Sequence, residues 1–135
     1  MRDLRLDAAR VEKLAMPLSL DISRTGDVVV VQCRGRIVFG EEADELRRVI
    51  LGLLSNTKQI ILNLAWVEYV DSCGLGTLVA SFISARHRGA EIKLASVSPM
   101  AQRTLRSTHL DRLFETYRFT EDALKSFQVR REGVG

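Results

Sequence analysis

The side chains with chemistry to offer sit together in residues 69–78, YVDSCGLGTL. An acid, a hydroxyl and a thiol (Asp71, Ser72, Cys73) run into Gly74, Leu75 and Gly76. A strand-like apolar run lies upstream and an amphipathic run downstream, so these residues fall where a strand hands over to a helix. A helix start offers free backbone N–H groups and partial positive charge. Three chemistries suit such a place: a catalytic nucleophile, a capping or anion-binding turn, and a residue that is itself modified.

Catalysis fits least well. Ser72 is not in a G-x-S-x-G elbow, because Val70 occupies the first glycine position. His87 lies about four helical turns further on, out of reach of Ser72. No G-x-x-x-x-G-K-[ST] loop is present. Cys73 has the helix-start setting that can lower a thiol pKa, but Cys33 is far away in sequence and the two form no C-x-x-C. With two cysteines and two histidines, His87 and His109, no zinc-ligand spacing arises. The residues therefore predict no enzyme, no metal and no cofactor.

Capping is the plain reading: Asp71 or Ser72 accepts a bond from an N–H two or three residues on. Modification is the third. A phosphoryl group on Ser72 adds about −1.5 to −2 charges at a helix start, which tolerates an anion. A partner packed tightly on that surface then meets an unpaired dianion, which is costly to bury. Such a chain keeps its fold and loses its interface.

The elements that must present these residues are legible around them. LSLDISRTGDVVVVQCRG, residues 18–35, reads as a hairpin: Leu18, Leu20 and Ile22 alternate with polar residues, RTGD turns the chain, and Val28, Val29, Val30 and Val31 form a strand covered on both faces. GRIVFGEEADELRRVILGLL begins as loop and becomes helix. That helix carries Leu46, Val49, Ile50, Leu53 and Leu54 on one face, with acids crowding its first turns. Residues 60–64 form a short strand and AWVEYVDS a loop. Leu75, Leu78, Val79, Phe82 and Ile83 line the next helix, which stops at His87, Arg88 and Gly89. EIKLAS is a strand. Ser98 caps a helix with Pro99 in first position, LFETYRF is a last strand, and Thr120 caps a closing helix with Ala123, Leu124 and Phe127 inward. The order β-β-α-β-α-β-α-β-α predicts an α/β fold with a mixed sheet.

At this point the residues resemble a known family. DSCGLG after a strand is similar to the signature of STAS domains of the anti-sigma factor antagonist type. GRIVFGEEADELRRVI, QIILNLAWVEYVDSCGLGTLV, GAEIKLASVSP and LFETYRFTEDALKSF resemble successive family segments in order. The resemblance implies the STAS fold and a non-catalytic partner-switching protein of transcription regulation. Its implied partners are an anti-sigma factor that is also a serine kinase with a histidine-kinase-like ATPase fold, and a phosphatase. Ser72 matches the phosphorylated position, and Asp71, Ser72, Cys73, Gly74, Leu75 and Gly76 match the partner-binding signature. Two departures stand out: Cys73 where relatives often carry Ser, Thr or Ala, and Arg36 and Val38 where well-studied relatives carry acids. The departures keep open a non-phosphorylated STAS scaffold of a signalling or transporter-associated complex, and the thiol leaves a redox sensor open.

Length and composition agree with that class. The chain has 135 residues, 46% hydrophobic and 27% charged, enough for one domain with a core. The arm is expected over residues 1–17, the domain over 18–128 and a tail over 129–135. The net charge of +3 is scattered rather than gathered into a basic stripe, which argues against nucleic acid. No apolar run suits a membrane span and the start is too charged for a signal peptide, so the expected location is the cytoplasm. Nothing in the arm decides between docking on the domain and forming a homodimer.

Overall fold

The structure, a computed structural model, describes residues 17–134, with side chains placed for residues 17–128. All but the last residue of the expected arm, and with it the homodimer question, lie outside the described residues. Five strands form one sheet in chain order: β1 (Ser19–Thr25), β2 (Val28–Ile37), β3 (Gln59–Val70), β4 (Glu91–Ala95) and β5 (Thr116–Tyr117). The β1–β2 hairpin is antiparallel and every later pairing is parallel. Parallel neighbours need crossovers, and α1 (Glu41–Leu54), α2 (Ser72–His87) and α3 (Pro99–Ser107) supply them. The closing helix, α4 (Thr120–Val134), follows β5. The mixed sheet and the β-β-α-β-α-β-α-β-α order are as the patterning predicts.

The main core joins alternate residues of the sheet to the three crossover helices. Val29, Val31, Cys33 and Ile37 of β2, Ile60, Leu62 and Leu64 of β3, and Ile92 and Leu94 of β4 meet Leu46 and Ile50 of α1, Leu75 and Leu78 of α2, and Leu105 of α3. Because α1, α2 and α3 share one core, they lie on one face. The other face carries Val28, Ile61 and Ala95 under Ala123 and Phe127 of α4. Lys93 lies on this side too. Its Nζ donates to Ser126 Oγ at 2.7 Å, pairs with Glu115 at 3.2 Å and sits 4.1 Å from the Phe127 ring centroid.

Three expectations about the strands need correction. AWVEYV is not a loop, because β3 runs unbroken to Val70. GRI is not a loop either, because β2 runs to Ile37. The two stretches pair with each other, Arg34 with Trp66, Gly35 with Val67, Arg36 with Tyr69 and Ile37 with Val70. Register shifts at Gln32/Arg34 and Gly35/Arg36 interrupt the ladder. Bulges break the period-two alternation, so the pattern that marks a strand is scrambled where these strands are longest. Gly35, at φ 105°, takes the backbone conformation that the shift demands. The third correction is LFETYRF, of which only Thr116–Tyr117 is strand; a 3₁₀ turn at Leu110–Arg112 precedes it.

Caps account for where the helices start. Ser98 Oγ accepts from Ala101 N at 3.2 Å and donates to Val67 O at 2.7 Å, with Pro99 in first position as expected. Thr120 differs from expectation. It is the first helical residue, the carbonyl of Phe119 takes the first N–H groups, and Thr120 Oγ1 accepts from Asn63 Nδ2 at 2.9 Å.

Candidate functional site

The paired strands β2 and β3 end together, and α2 begins immediately beyond them. Asp71 is extended, at φ −91° and ψ −178°, and is the N-cap. Its Oδ1 accepts from Gly74 N at 2.7 Å, as a capping aspartate should. Its Oδ2 accepts from Phe39 N at 2.9 Å, across a separation of 32 residues. Its own N–H donates to Ile37 O at 3.3 Å. One residue thus ties the end of β3, the segment after β2 and the start of α2. The Phe39 N–H first, and the Gly74 N–H second, hold the Asp71 carboxyl below the usual carboxylate range.

Gly74 explains why α2 can begin so close to β2. A Cβ there would run into the Ile37 carbonyl oxygen and sit 2.8 Å from its carbonyl carbon and 3.0 Å from Ile37 Cγ2. Leu75 then enters the main core. The hexapeptide therefore faces two ways. Gly74 and Leu75 are buried and Asp71 is half-buried, while Ser72, Cys73 and Gly76 are exposed. Among the described residues the Ser72 hydroxyl takes no hydrogen bond, so capping falls to Asp71 alone. Cys73 is exposed, and its carbonyl accepts from Thr77 Oγ1 at 3.1 Å.

Three aromatic side chains are exposed in and just after the paired ends of β2 and β3. Phe39 is 78% exposed, Trp66 58% and Tyr69 48%. Large apolar groups left in water are costly unless something covers them. Trp66 and Tyr69 lie in the AWVEYVDS stretch that runs into the hexapeptide. Phe39 was missed, although an apolar residue immediately before Gly40 and the acidic start of α1 is a visible signal. Phe39 also joins the site through its backbone, which no sequence pattern reveals.

A family model described as STAS domain matches residues 19–123. The chain belongs to the STAS domain family. Its fold recurs in solved structures. A Thermotoga maritima protein assigned as an anti-sigma factor antagonist is 26% identical, with a TM-score of 0.73 over 79% of this chain and 92% of that one. The anti-sigma factor antagonist SpoIIAA, in its unphosphorylated form, gives 17% identity and a TM-score of 0.70 over 82% of this chain and 96% of its own. A sulfate transporter family protein of Wolinella succinogenes gives 22% and 0.71, over 82% and 92%. At these identities the latter two show the shared fold. Among the described residues of this STAS domain no helix is long and apolar enough to cross a membrane.

Proposed function

We propose that this STAS domain is an anti-sigma factor antagonist whose docking is switched by reversible phosphorylation of Ser72. The partner is an anti-sigma factor that is also a serine kinase of the histidine-kinase-like ATPase type. A phosphatase restores the docking form, and the exchange takes place in the cytoplasm. The domain itself catalyses nothing; it is bound, modified and released.

The observation that carries this reading is the position of Ser72: exposed, at the first turn of α2, and with its hydroxyl in no hydrogen bond among the described residues. A kinase can reach it and a phosphoryl group can occupy it without displacing a structural bond. Exposed Phe39, Trp66 and Tyr69, in and just after the paired ends of β2 and β3, supply apolar area a partner would cover, since interface centres are enriched in such residues. A dianion at Ser72, beside the Asp71 carboxylate, opposes that burial.

The test is incubation of the purified chain with its cognate kinase and ATP, with the phosphate mapped by mass spectrometry. Label at Ser72 supports the switch; label elsewhere or none removes it. Ser72→Asp should weaken capture of the partner while leaving the circular dichroism spectrum and the unfolding midpoint unchanged. If the variant unfolds, the hydroxyl was structural after all. A second reading, a non-phosphorylated scaffold in a signalling or transporter-associated complex, draws support from the shared fold with the sulfate transporter family protein. A complex recovered from native lysate equally with and without ATP selects that reading.

A further inference from the structure

We propose that Arg36 is the internal counter-ion for a phosphoryl group on Ser72, so that modification both adds charge and withdraws a cation from the docking surface. The inference rests on the reading of Ser72 as the modified residue. Its basis is the end of the β2–β3 ladder. Arg36 pairs in register with Tyr69, and Ile37 with Val70. Ile37 and Val70 point into the main core, so by strand alternation Arg36 and Tyr69 point to the opposite face. The Ile37 O···H–N Asp71 bond carries the pairing one residue further. Arg36 thus precedes the last paired residue of β2, and Ser72 follows the last paired residue of β3. Strand spacing and rise put their Cα atoms at most roughly 11 Å apart, a span that an arginine and a phosphoserine cover together.

Among the described residues, Arg36 is also a cation at this end with capacity to spare. Its Nε is enclosed and has no hydrogen-bond partner. Buried donors are nearly always satisfied, and a guanidinium pairs with phosphate in a bidentate fork. Arg34, the neighbouring cation, is already engaged: Nε lies 3.8 Å from Asp21 Oδ2, and the guanidinium sits 5.9 Å from the Trp66 ring centroid. Among the described residues, the other charged side chains adjoining these segments in sequence include the acids Glu68 and Asp71 at the end of β3 and Glu41 and Glu42 at the start of α1. They repel a phosphate, whereas Arg36 attracts it. With Ser72 unmodified, Arg36 stays available to a carboxylate on the partner. With Ser72 modified, it turns inward.

The experiment installs phosphoserine at position 72 co-translationally, so it needs no kinase and does not depend on whether one acts on this chain. The ³¹P resonance is followed against pH in the phosphorylated parent, Arg36→Gln, Arg36→Lys and Arg34→Gln, with circular dichroism reporting the fold of each. An unperturbed phosphoserine titrates near pH 6. The Arg36→Gln midpoint should lie above the parent by about half a unit or more, since an opposite charge favours the dianion. Arg36→Lys should fall between, and Arg34→Gln should match the parent. Superimposed curves for the parent and Arg36→Gln overturn the proposal, as does an Arg34→Gln shift as large as that of Arg36→Gln. If Arg36→Gln fails to fold, Arg36→Lys decides: a midpoint identical to the parent then counts against the guanidinium.

Discussion

Gly74→Ala should destabilise this domain, whereas Gly76→Ala, two residues along the same helix, should not. Both changes remove the flexibility of glycine from a helix, which favours the folded state by up to about 1 kcal/mol. The difference is space. Nothing lies within 4 Å of a Cβ built on Gly76. A Cβ on Gly74 meets the carbonyl of Ile37, and a backbone carbonyl cannot swing aside as a side chain can. That carbonyl is also the acceptor for Asp71 N, so moving α2 away loosens the bond that seats the cap. Overpacking of this kind costs roughly 1–3 kcal/mol. Less the helix gain, Gly74→Ala should lose about 1–2 kcal/mol and Gly76→Ala should gain about 0.5–1 kcal/mol. Urea unfolding reads both. At a slope of about 2 kcal/mol/M the midpoint falls by roughly 0.5–1 M in the first variant and rises by roughly 0.3–0.5 M in the second. A Gly74→Ala midpoint at or above that of the parent, with the slope unchanged, refutes the close approach of α2 to β2.

Asp71→Ala should cost about 1 kcal/mol at neutral pH, the usual worth of a capping aspartate. Because the folded carboxyl is held below its unfolded value by Phe39 N–H and Gly74 N–H, its contribution is present above about pH 4 and is lost as pH falls through the depressed folded value. Parent and variant should therefore converge in acid; a gap that stays constant to pH 2 contradicts the assignment. Native thiol labelling should modify Cys73 alone. Cys33 is buried and its thiol is pushed up to about 12 by burial, so its label should appear only on adding denaturant, and two fast equivalents in the native protein would contradict that burial.

The parts of the fold legible in the sequence are those in which one face is buried and the period is regular. The four helices, the β1–β2 hairpin and the Ser98–Pro99 start follow from apolar spacing and capping chemistry. What hid was the length of β2 and β3. The register shifts around Arg34 and Gly35 displace the alternation, and exposed Trp66, Glu68 and Tyr69 then look like loop. The hydroxyl at position 72 was visible as a candidate because a helix start stands out locally. Its surroundings were not, since the Phe39 backbone reaches Asp71 only because β2 and β3, some 30 residues apart, pair up to Ile37 and Val70. Local pattern does not encode that pairing; register does.

The extended strands also bear on how a switch and a stable fold can share one turn. A residue that caps a helix cannot be modified freely, because the modification removes an acceptor from N–H groups that have no other partner. Here the capping role is held one residue earlier, by Asp71, which is anchored twice over by Gly74 N and Phe39 N. The close packing is held two residues later, by Gly74 against Ile37. Ser72 lies between these two anchors and carries neither duty. The β2–β3 ladder makes the arrangement work, because only a strand that continues to Ile37 can offer Asp71 and Gly74 the same carbonyl to rest on. A charge placed on Ser72 is therefore held at a fixed position by rigid neighbours while none of their bonds depends on it. On this geometry none of the bonds at the start of α2 depends on the Ser72 hydroxyl, which is the property the proposed docking switch requires.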